Sequence, residues 1–173
     1  MLYKGDLEMS TQGDLSLLND PVAQTLLTST HLAHLAYVWD DGTPRVVPIW
    51  FHWNGKMLVL AGPPDAPKFH VMGNQCKVAL TIDSETWPYK VLSIRGTATV
   101  SVVDGVVPEY ALSAERYFGE QGGKDWMNTV KSLNVKQFAR IEVTPEWVNI
   151  LDFEQRFPSA LARAMARAAG ASV

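Results

Sequence analysis

The segment from Arg45 to Trp53, reading Arg-Val-Val-Pro-Ile-Trp-Phe-His-Trp, constrains this chain more than any other. In an extended strand successive side chains alternate between two faces. Val47, Ile49, Phe51 and Trp53 then point one way, and Val46, Pro48, Trp50 and His52 the other. Both faces are largely apolar, so the strand needs cover on both sides. One cover is the protein's own core. The other is a partner subunit or a ligand. Pro48 adds to this, because proline cannot donate to a ladder and belongs at an edge, at a bulge, or where the backbone serves something other than strand pairing. A flat aromatic ligand could use such a backbone; an ordinary strand buried at a dimer interface would read the same way.

Around this segment the chain reads as an antiparallel meander. Asp20 can cap, and Pro21 can open, a helix running to about Thr28. Leu32 to Trp39 is a strand that ends at the turn Asp40-Asp41-Gly42. Arg45 to Trp53 follows as the second strand, Asn54-Gly55 as a hairpin turn, and Lys56 to Ala61 as the third strand. Gly62 to Pro67 holds three prolines and cannot continue a strand, so a short helix is expected from Lys68 to Gly73. Lys77 to Asp83 and Tyr89 to Val103 are further strands, and Gly96 within the second marks a bulge or sharp bend. Two helices, Pro108 to Phe118 and Lys124 to Leu133, flank the breaker Gly119 to Gly123 and are expected to cap the barrel. Lys136 to Val143 and Trp147 to Phe153 return to strand, and Pro158 to Ala169 is an Ala-rich terminal helix. The expected fold class is mainly β with α additions, an antiparallel barrel of six or seven strands whose closure removes exposed edges. Residues 1–19 are expected to be a loose arm, 20–153 the barrel domain, and 154–173 the C-terminal helix.

A chain of 173 residues with 47% hydrophobic and 19% charged residues can organise one domain around one core. Its net charge of −3 and lack of a basic run argue against a nucleic-acid surface. Cys76 is the only cysteine, which leaves no intrachain disulfide or cysteine metal cluster and fits a reducing compartment. No apolar run has the length of a signal peptide or a membrane span. A soluble, cytoplasmic protein is expected, with no membrane partner.

Fingerprints of a dinucleotide fold, a P-loop and an α/β-hydrolase elbow are missing from the sequence, and its four histidines show no metal-ligand spacing. No metal is expected. Lys68 is a better lead. It follows a rigid loop at the start of a short helix, where a phosphate would meet unpaired N–H groups and a point charge. Arg45 opens the apolar strand, so two cations flank it, as a site with one anionic end and one flat end would require.

Taken together these residues resemble a known family. Arg45 to Phe51, the hairpin, Ala61-Gly62 with Lys68, the strand Lys77 to Asp83, Ile94 to Ala98, and Val143 to Trp147 running on to Asp152-Phe153 are similar to the FMN-binding split barrel related to pyridoxamine 5′-phosphate oxidase. The resemblance covers residues 20–153. It implies a homodimeric split β-barrel with FMN, or alternatively the deazaflavin coenzyme F-420, at the subunit interface. In that family basic residues corresponding to Arg45 and Lys68 hold the flavin phosphate. The backbone of Val46, Val47, Pro48 and Ile49 edges the ring, Trp50 lies beside it, and Ala61 and Gly62 match the end of the third strand. The hydroxyl residue usual at that strand end is absent here, Pro67 stands where a basic residue is common, and Val91 and Leu151 replace a glutamine and a tryptophan that contact the ring. The Arg-x-x-x-Ser segment and C-terminal arginine that grip pyridoxamine phosphate have no counterpart, so that authentic activity is not expected. The implied function is hydride transfer between the cofactor and a small organic substrate, with no catalytic side chain assigned. The alternatives are a flavin- or haem-binding split barrel that turns nothing over, and a dimeric barrel for an apolar ligand.

Overall fold

One face of each long strand is apolar, and the strand register stacks those faces into continuous rows. The computed structural model describes residues 12–168. Its strands are β1 (Ala33–Val38), β2 (Pro44–Ile49), β3 (His52–Trp53), β4 (Leu58–Gly62), β5 (Gln75–Asp83), β6 (Lys90–Asp104) and β7 (Gln137–Asp152). They form one 7-stranded sheet in the order β2-β1-β5-β6-β7-β4-β3, antiparallel at every step. Val47, Leu35, Leu80, Ile94 and Val148 stand in one row across five strands, and Ile49, Ala33, Ile82, Leu92 and Ile150 in the next. Most of these side chains are fully buried, and α1 (Pro21–Thr28) adds Ala23, Leu26 and Leu27 to the same core.

The predicted second strand is two strands. β2 stops at Ile49 and β3 starts at His52, and these are the opposite edges of the sheet. Three residue steps span at most about 11 Å, so the sheet curls until its two edges almost meet. It does not close. The expected pairing that would remove both edges is replaced by a split, bridged only by Trp50 and Phe51. Phe51 is buried completely. Its carbonyl, outside any strand, accepts a hydrogen bond from Ser113 Oγ at 3.0 Å and another from Arg116 Nη2. Both donors belong to α3 (Pro108–Ser132), so α3 latches the crossover.

Further expectations are adjusted. The strands expected at 136–143 and 147–153 are a single β7, because Pro145 sits at a bulge instead of ending the ladder. Arg95 pairs with Trp147 and Gly96 with Pro145, leaving Glu146 as the extra residue, so the bulge expected from Gly96 falls on its partner strand. A Cβ at Gly96 would lie 2.1 Å from the Thr144 carbonyl oxygen, so only glycine fits this approach. The two helices expected around 108–133 are there as the two limbs of α3 and meet at Gly119 (φ 75°, ψ 171°), a shorter breaker than Gly119 to Gly123. Gly122 and Gly123 remain helical; a Cβ on Gly123 would lie 2.6 Å from the Glu115 Cα, so they serve close packing between the two limbs. Leu15–Asn19, expected inside a loose arm, is a 3-10 helix capped by Asp14, and Gly13 N–H donates to the Val148 carbonyl at 2.8 Å. The rest of that arm, residues 1–11, lies outside the described residues.

The remaining helices are α2 (Pro67–Met72), with Pro67 in its first turn, and α4 (Ser159–Ala168). Among the described residues no helix is long and apolar enough to cross a membrane.

Candidate functional site

The site is built where the sheet splits. β2 pairs only with β1, so its other side is a free edge. In an antiparallel ladder alternate residues turn their N–H and C=O to the same side, and prolines on an edge strand face the unpaired side. Pro44 and Pro48 are four residues apart and share that phase. Val46, between them, therefore supplies the N–H available along this stretch, with carbonyl acceptors on either hand. Val46 is also 62% exposed, whereas Val47 and Ile49 pack against the core. Of the four backbones expected to edge a ring, Val46 and Pro48 face outward and Val47 and Ile49 face β1.

Beyond Ile49 the chain meets α3. Trp50 is half-buried among four of its rings. Tyr117 stacks on it at 5.2 Å between centroids and 14° between planes, Phe118 and Trp126 meet it edge-on at 5.1 and 5.8 Å, and Tyr110 is tilted at 5.7 Å. Tyr117 is held in turn by its hydroxyl, which donates to the His31 carbonyl at 2.9 Å. An open groove of about 280 Å³ runs beside this cluster, lined by Leu32, Pro48, Ile49, Trp50, Ala61, Tyr110 and Trp126. Pro48, Ile49, Trp50 and Ala61, four of the sequence-predicted site residues, thus come together in one place. Leu32, Tyr110 and Trp126 were missed. Their signal was readable, since aromatics at 110, 117, 118 and 126 cluster in the two helices expected merely to cap the barrel.

The other predicted residues lie apart from the groove lining. Lys68 stands in the first turn of α2 with its ammonium 4.7 Å above the Phe69 ring, and Phe69 in turn packs against Gly62. Burial lowers the Lys68 pKa. Arg45 lies at the far end of β2, its guanidinium 5.0 Å above the Trp39 ring. Among the described residues neither cation makes an ion pair, while Lys77, Lys124, Arg140 and Arg156 all do. Lys68 is therefore open to an anion, while the Arg45 charge is shared with the Asp41 carboxylate. Arg140, by contrast, bridges Glu109 at 2.5 Å and Glu142 at 2.7 Å, and it holds the Glu109 carboxyl below its usual range. His52 lies on the other edge, in a separate cavity with Leu27, Trp53 and Arg116. Burial first, then the Arg116 charge, push its pKa down. Among the described residues no three His, Cys, Asp or Glu side chains are grouped as a metal ion would need.

This arrangement fits a flat cofactor with an anionic tail. It offers an edge-strand backbone with one donor and several acceptors, an uncharged aromatic groove and, apart from the groove lining, two cations that make no ion pair among the described residues. The sequence profile of pyridoxamine 5′-phosphate oxidase matches residues 20–152. The chain belongs to the pyridoxamine 5′-phosphate oxidase family. Its seven-stranded open sheet is that family's split barrel, and solved structures share it. A chain described as an F420 reductase is 24% identical, with a TM-score of 0.53 over 73% of this chain and 94% of that one. A conserved hypothetical protein from Mycobacterium tuberculosis is 15% identical, with a TM-score of 0.62 over 86% and 91%. The FAD and haem binding protein from Mycobacterium smegmatis is 18% identical, with a TM-score of 0.56 over 89% and 78%. At these identities the likeness is one of fold. No curated protein matches the chain.

Proposed function

We propose that this member of the pyridoxamine 5′-phosphate oxidase family is a homodimeric oxidoreductase that uses FMN, or alternatively the deazaflavin F-420, to act on a small organic substrate. The observation that carries the reading is the groove at the split, where Pro48, Ile49, Trp50 and Ala61 meet beside the free edge of β2. Membership of the family supports the flavin class. A structural neighbour described as an F420 reductase supports the deazaflavin alternative.

The bound cofactor would supply hydride-transfer chemistry. The chain's own part is to bind and orient. Lys68 and Arg45 would hold the phosphate by charge-assisted hydrogen bonds. The Val46 N–H and the neighbouring carbonyls would fix the edge of the ring, and the rings around Trp50 would pack against it and exclude water. Apart from the Tyr110 phenol, the groove lining carries no titratable side chain, so orientation and exclusion, not proton transfer by a side chain, are what these residues contribute. The Val46 face, bare in one copy, is where a second copy would complete the site.

Haem binding without turnover is the second reading, favoured by the neighbour described as binding FAD and haem. The absorbance spectrum of the purified protein, or of protein incubated with each cofactor, separates the two. A flavin or deazaflavin band supports the proposal, a Soret band replaces it with haem, and failure to take up any of the three rejects both.

A further inference from the structure

The floor of the groove is β2 and β4; its wall is α3, whose rings were given above only the task of packing and excluding water. Tyr110 and Trp126 meet across it because Gly119 bends α3 back on itself. The Trp126 indole N–H donates to the Tyr110 hydroxyl at 3.1 Å, so the polar atoms of the two rings engage each other. What remains toward the groove is mostly ring carbon. Trp126 is 37% exposed and Phe118, beside it at 5.9 Å, is 50% exposed. None of the seven lining residues is charged. The ionic groups of α3 are turned elsewhere: Glu109 to Arg140, Arg116 to the carbonyls of Leu27 and Phe51, Lys124 to Glu120. Lys68 sits over Phe69 on α2.

We propose that Tyr110 and Trp126 are the specificity wall of this site, admitting a neutral, planar aromatic ring stacked on Trp126 and rejecting ring compounds that carry a phosphate or carboxylate. The inference rests on the cofactor-binding reading, which gives the floor of the same groove to the cofactor. An anion pressed against this wall would lose hydration and find no cation in return, only the hydroxyl proton of Tyr110. It would also meet the negative faces of the rings. A neutral planar ring gives up little water and gains stacked or edge-to-face contacts. A saturated ring of the same size gains burial alone.

Calorimetric titration of the purified protein, first saturated with whichever cofactor it takes up, with 1-naphthol, 1-naphthyl phosphate and decahydro-1-naphthol tests this, with the absorbance spectrum of the same samples reporting the cofactor separately. The expected result is 1-naphthol bound at least tenfold tighter than either relative. Trp126→Ala should weaken 1-naphthol about three- to tenfold, and Trp126→Phe, which keeps a ring and guards against a folding defect, should restore most of the loss. Equal binding of 1-naphthyl phosphate, or naphthol affinity unchanged by Trp126→Ala, overturns the proposal. Trp126-dependent naphthol binding in a protein that takes up no flavin, deazaflavin or haem would defeat the cofactor reading and leave the preference of the wall standing.

Discussion

At the scale of single residues, two positions carry consequences that can be measured. Gly96 is fixed by space: any Cβ would meet the Thr144 carbonyl oxygen, a backbone atom in the middle of the sheet, at 2.1 Å. Gly96→Ala should therefore destabilise the fold by about 3 kcal/mol, measured by urea unfolding; a loss below about 1 kcal/mol would mean the bulge yields easily. Lys68 is fixed by electrostatics. Burial lowers its pKa, so on raising pH the folded protein loses this proton before an ordinary lysine does. If the ammonium binds the flavin phosphate, the ratio of FMN to riboflavin affinity should be flat near neutrality and decline while pH is still below the ordinary lysine value of 10.5. Taking the ratio cancels the titration of the flavin ring. A ratio constant to pH 10.5 would remove Lys68 from the phosphate.

At the scale of elements, the short crossover at Trp50 and Phe51 organises the molecule, and α3 holds it in place. Ser113 and Arg116 share the Phe51 carbonyl, and Arg116 also donates to the Leu27 carbonyl at 3.0 Å. Ser113→Ala should cost about 1 kcal/mol and Arg116→Leu about 2–3 kcal/mol in denaturant unfolding, since charge-assisted bonds are the stronger; equal losses would contradict this division. Much of the strand plan was legible in the sequence, because alternating Leu, Ile and Val at 33–38, 77–83 and 90–98 signal one buried face. The break after Ile49 was not. Residues 45–53 alternate without interruption, and only the long-range contacts of Phe51 with α3 take two of them out of the ladder. The breaker in α3 is shorter than its glycines suggest: a run of glycines reads as a loop, yet Gly122 and Gly123 permit close helix packing while Gly119 alone turns the chain. Pro48, Ile49 and Trp50 stood out in the sequence through the strand's two apolar faces as well as family likeness, whereas Ala61 came from family likeness alone. Tyr110 and Trp126 were passed over because their role depends on that fold-back.

At the scale of the whole molecule, the open sheet leaves an apolar strip that one copy does not cover. Val46 on the edge strand β2 and Val38 on its neighbour β1, 62% and 61% exposed, stand toward the free side of the sheet. A homodimer that buries this strip should hide at least about 2,000 Å² in total. Sedimentation should show a dimer at micromolar concentration, and Val46→Glu should shift it to monomer; a monomeric wild type would contradict the shared site. The central claim is narrower: a phosphate-bearing flavin lies at the split of the sheet, with its anion on Lys68. The most direct measurement is titration of FMN and riboflavin into the wild type and Lys68→Ala. The account predicts about ten- to a hundredfold weaker FMN binding in the variant, with riboflavin nearly unchanged. Equal weakening of both ligands, or no change in either, would contradict it.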